Sequence, residues 1–273
     1  MKIHFRLKTI EEIKIELSYL GYQVSWLDLT DGDLYLEIGG QRVYIYSKEG
    51  MEYYETNDKY INYQIDSFIR ELCCVFSGIS RGVSKNLYEL FNDVTSIRTL
   101  NDDAYRWLEL YEDDSETVID TEVENEYGII SDYIYDHRLV AYPIYLVPRL
   151  HFFRYNNKLK IIVDCEEKTE TGIALWEAKS GVYEINYADF VKEVKHFYNE
   201  FIDQMEQQIL NAINTDWGHL SIAKNLASIY PQIKKKLLKE LEILEQNEKE
   251  NSEEIERIYQ RIQRELVEKS NVK

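Results

Sequence analysis

The fold class is decided by the stretch Val24-Ser-Trp-Leu-Asp-Leu-Thr-Asp-Gly-Asp-Leu-Tyr-Leu-Glu-Ile-Gly-Gly-Gln-Arg-Val-Tyr-Ile-Tyr46. Apolar and polar side chains alternate along it, and the alternation is interrupted at Asp31-Gly32 and at Gly39-Gly40. Both dipeptides adopt positive φ at low cost, which is typical of hairpin turns. We therefore predict an antiparallel meander with turns at 30–33 and 39–40. Its strands would be Val24–Leu29, Leu34–Ile38 and Arg42–Tyr46.

The flanking sequence predicts a second β-region separated from the first by helices. Ile3–Leu7 alternates like a strand, and Thr9–Leu20 fits either a helix or a strand. From about 60 to 111 the apolar residues recur at helical spacing. Four further strands are expected at His151–Tyr155, Lys158–Asp164, Ile173–Trp176 and Val182–Ile185, with a turn at Asn156-Asn157.

The predicted fold class is α+β. One antiparallel sheet would be built from two β-regions, residues 1–47 and 149–186, with a helical insert at about 60–140. A long amphipathic helix at 187–213 would cover it. Residues 219–273 would form a separate helical hairpin, because Lys234–Lys273 carries ten basic and ten Glu side chains around two apolar seams. The expected domains are therefore 1–213 and 219–273, and a homodimer could form through the C-terminal helices.

Charge excludes several classes of partner. The 273 residues contain 50 acidic and 32 basic side chains, giving a net charge of −18. Direct nucleic-acid binding is not expected, because it depends on Lys and Arg displacing counterions from phosphates. The same reasoning counts against anionic membrane surfaces, and no apolar run is long enough to cross a bilayer. Three cysteines and no signal-like N-terminus favour reduced thiols and a cytoplasmic location.

Two carboxylate groupings were weighed as chemical sites. Asp28, Asp31, Asp33 and Glu37 could act as acid and base in a hydrolase, although the hairpin turn already accounts for Asp31. Glu193-x-x-His196 resembles half of a di-iron motif, but helical spacing places it with Glu200 on a solvent face. We therefore predict no catalytic residues, no metal and no cofactor.

Acidic and tyrosine residues are concentrated between 101 and 145. Residues 101–136 contain thirteen acidic side chains and a single Arg106. Clustered acids accelerate association with a basic partner, and Tyr is enriched at interfaces. The alternative interpretation is that these residues form an ordinary solvated surface that binds no partner. The expected partner-binding residues are Asp113, Asp114, Glu116, Glu122, Glu124, Tyr127, Tyr133 and Tyr135.

Two blocks of sequence carry a family resemblance. They are Thr30–Gly40 with Tyr44–Ser47, and Val147–Arg154 with the apolar positions that follow it up to Met205. In these blocks the chain resembles a bacterial family of acidic cytoplasmic proteins that carry a TDG hairpin, a domain of unknown function. The resemblance covers roughly residues 1–210, and it implies a role near toxin-immunity and defence loci by association only.

The expected function is that of a non-enzymatic interaction protein. It would be a toxin-neutralising immunity protein or a defence-associated inhibitor that binds a basic protein partner, such as a toxin or a nuclease. One alternative is a nucleic-acid mimic whose carboxylates replace phosphates and occupy a nuclease or a DNA-binding protein. The other alternative is the carboxylate-dependent hydrolase.

Overall fold

Residues 1–18, 23–111, 121–222, 225–246 and 252–270 are described by a computed structural model. The fold is α+β, as predicted. The strands are β1 (Lys2–Leu7), β2 (Gln23–Val24), β3 (Asp31–Ile38), β4 (Gln41–Val43), β5 (Ile61–Gln64), β6 (Arg138–Leu139), β7 (Arg149–Tyr155), β8 (Lys158–Asp164), β9 (Gly181–Asn186) and β10 (Ser221–Ile222). The α-helices are α1 (Ile10–Leu17), α2 (Lys48–Tyr53), α3 (Ile65–Cys74), α4 (Phe76–Ser80), α5 (Lys85–Leu90), α6 (Val94–Glu109), α7 (Thr121–Asp136), α8 (Tyr187–Asn214), α9 (Leu226–Leu241) and α10 (Ser252–Ser270). Short 3₁₀ turns occupy Asp28–Thr30 and Glu242–Glu245.

Eight of the described strands form two four-stranded antiparallel sheets rather than the single predicted one, and β2 pairs with β10 in a two-stranded parallel sheet. In the first sheet, β3 pairs with β1 on one edge and with both β4 and β5 on the other. In the second sheet the order is β6-β7-β8-β9. The single-sheet prediction is wrong because each β-region is completed by a strand from the intervening segment: β5 joins the first sheet and β6 joins the second. Residues 173–176 contribute only an isolated bridge, between Tyr46 and Trp176.

The predicted meander is correct at one turn and wrong at the other. Gly39 and Gly40 have φ values of 58° and 81°, as the turn between β3 and β4 requires. Residues 30–33 do not form a turn, since Asp31 begins β3 and only Gln23–Val24 of the preceding segment is a strand. Gly32 lies between Leu7 of β1 and Tyr63 of β5. A Cβ atom there would lie 2.1 Å from the carbonyl oxygen of Arg6, so glycine is required by the close approach of the strands.

Helix α8 confirms the predicted covering helix. Its buried stripe includes Phe190, Phe197 and Phe201. Glu193 does not face solvent as expected: it is buried, and its carboxylate accepts hydrogen bonds from the Ile3 backbone at 2.9 Å and from Lys2 Nζ at 2.6 Å. This carboxylate therefore ties α8 to β1. Among the described helices, none has both the length and the apolar character required for a bilayer crossing.

The second sheet separates two hydrophobic cores. On β7, Phe152 faces the first core, which also contains the first sheet, α3 and α8. Phe153 faces the second core, which contains α5, α6, α7 and α10. On β8, Ile161 and Ile162 divide in the same way. Both faces of this hairpin are therefore buried.

The two C-terminal helices complete different cores. Leu226, Tyr230 and Leu237 of α9 belong to the first core, whereas Ile255, Ile258 and Ile262 of α10 belong to the second. Their apolar seams are therefore used within the chain, and a homodimer would need other side chains. This packing also argues against residues 219–273 as a separately folding hairpin, because their apolar side chains fill cores built by residues 1–213.

The contact at Gly32 predicts a stability change. Gly32→Ala should lower the free energy of unfolding by about 2 kcal/mol, because its Cβ clashes with backbone rather than with a movable side chain. Gly128→Ala is the matched control: nothing lies within 4 Å of its Cβ direction in α7, so alanine should stabilise the helix by about 0.5–1 kcal/mol. Urea denaturation measures both, and a neutral Gly32→Ala would contradict the described register.

The packing of α10 predicts a second change. Ile258 is fully buried, so Ile258→Ala should cost about 3 kcal/mol through lost burial and the cavity left behind. Val267→Ala, on the exposed side of the same helix, should be nearly neutral. Equal effects of the two substitutions in urea denaturation would show that α10 does not close the second core and would restore the division at residue 219.

Candidate functional site

Five of the eight expected partner-binding residues lie on α7. Asp113, Asp114 and Glu116 fall outside the described residues. Glu122, Glu124, Tyr127, Tyr133 and Tyr135 all belong to the helix that begins at Thr121 and ends at Asp136. Their side chains point in different directions around the helix.

One side of α7 is held by arginines of α10. Glu126 is buried, and its carboxylate oxygens lie 2.6 Å from Arg257 Nη1 and 2.8 Å from Arg261 Nη1. Arg261 also contacts Glu122 at 2.6 Å. Removing one partner of a buried pair leaves an uncompensated charge, so these acids hold α7 against α10. Glu122 is therefore engaged within the chain.

Glu265 of α10 extends this network to α6. It accepts hydrogen bonds from Trp107 Nε1 at 2.7 Å and Tyr111 Oη at 2.5 Å, and Arg261 Nε lies 2.9 Å from its other oxygen. Burial alone would raise the pKa of Glu265, but the bonds from Tyr111, Trp107 and Arg261 lower it to about 2. The Arg261 guanidinium also lies 5.5 Å from the centre of the Trp107 ring. Part of the acidic sequence is thus structural.

The other α7 residues divide between the core and the surface. Tyr133 is 5% exposed and packs against Phe91 and Phe153 in the second core, so a partner on the folded surface does not reach it. Tyr127 is half-buried. Glu124 is exposed, and Tyr135 is 56% exposed. Of the described residues proposed for binding, Glu122, Glu124 and Tyr135 are exposed, and Glu122 is paired with Arg261.

The carboxylates proposed for a hydrolase follow a strand instead of lining a cleft. Asp31, Asp33 and Glu37 occupy alternate positions of β3, where successive side chains on one face are about 6.6 Å apart. Asp33 pairs with Arg6 Nε at 2.8 Å, and Glu37 lies 3.6 Å from His4. Asp28 instead accepts a hydrogen bond from the Ser25 backbone at 2.7 Å. This geometry gives the hydrolase alternative no support.

A cleft that was not expected from the sequence lies between α6, α7 and the second sheet. We call it the arginine cleft. Its volume is about 220 Å³. It is lined by Ile97, Arg98, Asn101, Asp102, Ile134, Arg138, Arg149, His151, Asp164 and Glu167. Within the described residues, no group of three or more His, Cys, Asp or Glu side chains is placed to hold a metal ion, here or elsewhere.

Strand pairing brings the cationic residues of the cleft together. Arg138 of β6 is the direct partner of His151 on β7, and Arg149 of β7 is the partner of Asp164 on β8. Arg149 and His151 are two residues apart, so they share the face of β7 that also presents Phe153 to the second core. Helix α6 then supplies Arg98 from above this face.

Two of the three arginines are neutralised by carboxylates. Arg98 forms a two-pronged pair with the buried carboxylate of Asp164 and lies 2.7 Å from Glu166. Arg149 pairs with Glu167. Within the described ranges, no carboxylate lies at ion-pair distance from Arg138. The guanidinium of Arg138 instead lies 5.9 Å from the centre of the Tyr135 ring.

The electrostatic environment keeps the imidazole of His151 neutral. Burial, followed by the charge of Arg138, lowers the pKa of His151 to about 3. Burial likewise lowers the pKa of the neighbouring His137 to about 4. The pKa of Arg138 is also lowered, first by burial and then by Arg149. The cleft therefore contains a neutral imidazole beside a cation without a carboxylate partner.

Sequence reasoning missed this cleft because its members are far apart along the chain. The only local signal was the alternation Arg149-Leu-His-Phe-Phe153, which places Arg149 and His151 on one strand face. The pairing of Arg138 with His151 depends on the two-residue strand β6, which has no distinctive pattern of its own.

The buried histidines predict a loss of stability in acid. An unfolded imidazole takes up a proton below its ordinary pKa of 6.5, whereas the folded protein resists protonation of His137 and His151 down to about 4 and about 3. Each should therefore lower the free energy of unfolding by up to about 2 kcal/mol between pH 6.5 and about pH 5. The pKa of Asp31, raised by burial to about 6, acts in the opposite direction, because its folded form takes up a proton first.

Urea denaturation of the wild type and His137→Gln at several pH values tests this expectation. The variant has one buried imidazole fewer, so its free energy of unfolding should fall less steeply with decreasing pH, whatever its stability at pH 7. An identical slope for the two proteins would show that His137 is not held neutral.

Comparison with known proteins identifies one family. No curated protein and no solved structure matches the chain. The model of one protein family, described as a family of unknown function (DUF5984), matches residues 2–268. The match includes α9 and α10, which the resemblance seen in the sequence left out, and it contains nothing that links the chain to toxin-immunity loci. Because the match spans nearly the whole sequence, the chain belongs to the DUF5984 family.

Proposed function

We propose that this protein is a non-enzymatic interaction protein that binds a basic protein partner. The binding surface would be the acidic α6–α7 surface, which consists of Asp102, Glu109, Glu124, Asp132 and Tyr135. All five side chains are exposed. The observation that carries the proposal is that none of these four carboxylates has an ion-pair partner in the part of the chain described.

Unpaired surface carboxylates act on the encounter with a partner. A charge already compensated at short range, such as Glu122 beside Arg261, contributes little to the field away from the protein. Within the described residues Glu124 and Asp132 have no such partner, so they would attract a basic surface and raise its association rate at low salt. Tyr135 adds a large contact area at small entropic cost. The surface therefore combines long-range attraction with a short-range contact.

The proposal takes one of two more specific forms, depending on which partner is bound and how. A toxin or nuclease held by this surface would make the protein a toxin-neutralising immunity protein or a defence-associated inhibitor. If the carboxylates replace phosphates, the protein would be a nucleic-acid mimic. The two versions differ in one measurable respect: a mimic competes with DNA or RNA for the partner, whereas an inhibitor that binds elsewhere does not.

The proposal predicts a charge effect on association kinetics. The partner is first identified by co-purification with the full chain from its native host. Glu124→Gln combined with Asp132→Asn should then lower the association rate constant about two- to fivefold at low salt, and the difference should shrink as salt is added. Surface-binding kinetics at two salt concentrations measure both effects.

A matched control separates the surface from net charge. Glu11→Gln combined with Glu170→Gln removes two exposed carboxylates elsewhere, so net charge changes equally. This pair should leave the association rate constant close to that of the wild type. Equal effects of the two double variants, or an unchanged rate in both, would exclude the acidic α6–α7 surface as the binding surface.

A further inference from the structure

Two buried polar atoms of the arginine cleft have no hydrogen-bond partner among the residues that the structure describes. They are Arg138 Nε and His151 Nδ1. Their residues are direct partners across β6 and β7 and line the same cavity. His151 is only 4% exposed, so its ring is not hydrated from the surface. Buried polar groups are almost always hydrogen-bonded in folded proteins, so two such exceptions on neighbouring residues of one cavity point to a hydrogen-bonding partner from outside the chain.

The charges lining the cleft define what this occupant can be. Arg98 pairs with both Asp164 and Glu166, and Arg149 pairs with Glu167. Within the described residues Arg138 has no carboxylate at ion-pair distance, and Asp102 lies at the exposed rim. One negative charge would pair with Arg138, whereas a second would add to the charges of Asp164, Glu166 and Glu167. The cleft therefore favours a monovalent anion over a divalent one.

The shape and the remaining walls narrow the chemistry further. A guanidinium presents parallel N–H groups in a fork that matches the two oxygens of a carboxylate. The Arg138 guanidinium lies 5.9 Å from the centre of the Tyr135 ring, and its Nε is buried without a hydrogen-bond partner among the described residues. Ile97 and Ile134 contribute apolar wall. The volume of about 220 Å³ is smaller than the roughly 300–1,000 Å³ of pockets for drug-sized ligands.

We propose that the arginine cleft binds a short aliphatic carboxylate. Its carboxylate accepts hydrogen bonds from Arg138 and from the neutral imidazole of His151 in its Nδ1–H form, and its alkyl chain contacts Ile97 and Ile134. Arg98 and Arg149 are positioning residues in this scheme, because each holds a carboxylate that forms the wall. The cleft borders the acidic α6–α7 surface, with which it shares Asp102 and Tyr135, but its proposed ligand does not depend on the partner-binding function.

Binding of butyrate to the full-length protein tests the proposal. At neutral pH and constant ionic strength, the imidazole resonances of His151 should shift saturably in a histidine-labelled NMR spectrum as sodium butyrate replaces sodium chloride. Butyramide, which has the same shape without the charge, should bind at least about tenfold more weakly, since a hydrogen bond to a charged group is lost. Sulfate, which is divalent at neutral pH, should also bind more weakly than butyrate.

Two variants locate the site. Arg138→Gln should weaken butyrate binding by about tenfold or more. Arg42→Gln is the control, because Arg42 is exposed, pairs with Glu177 at 3.1 Å and lies outside the cleft. It should bind butyrate like the wild type. If Arg138→Gln does not fold, Arg138→Lys and the wild-type comparison of butyrate with butyramide decide the question.

Four results would each overturn the proposal or one part of it. Absence of a saturable His151 shift with butyrate overturns the proposal and indicates a cleft filled by water. Equal binding of butyrate and butyramide overturns recognition of the charge. Tighter binding of sulfate than of butyrate overturns the monovalent class, and unchanged butyrate binding in a folded Arg138→Gln variant overturns the location.

Discussion

The structure depends on the burial of the β7–β8 hairpin on both faces. A strand that is covered on one side alternates apolar and polar residues. These two strands instead supply apolar side chains to a separate core on each side. The polar side chains that remain on them therefore need partners from the covering elements. Arg154 donates to the Ser80 carbonyl, Lys160 to the Tyr88 carbonyl, and Asp164 accepts from Arg98. These bonds fasten α4, α5 and α6 to the sheet, so the same constraint that creates two cores also orients the helices around them.

Features encoded by neighbouring residues were predictable from the sequence. The β7–β8 hairpin with Asn156 at φ 54°, the turn at Gly39-Gly40 and the helix α8 follow from alternation, turn chemistry and helical spacing. Features that depend on distant pairing were not. Gly32 resembles a hairpin glycine locally, yet its role is set by Arg6 and Tyr63 on the flanking strands. The arginine cleft likewise requires β6, a strand too short to leave a pattern, to lie beside β7.

The acidic stretch of the sequence has two physical roles that a charge count cannot separate. Glu126 is enclosed by Arg257 and Arg261 of α10, where it holds α7 against that helix. Glu124 and Asp132 lie on the opposite, solvated side of α7. The helical period therefore divides the acids of α7 between a buried ion-pair network and an exposed surface. Glu122 belongs to both, because it is exposed and pairs with Arg261, so the proposed interaction depends on fewer side chains than the composition suggests.

The hydrogen bond between Trp107 and Glu265 has a consequence for biosynthesis. The two residues are separated by 158 positions, so α6 leaves the ribosome well before α10. At typical elongation rates the delay is on the order of ten seconds. During that interval the apolar side chains of α6, α7 and the sheet face that they cover lack the helix that encloses them. The nascent chain therefore exposes an apolar surface for a limited time, and chaperones that act during translation bind such surfaces.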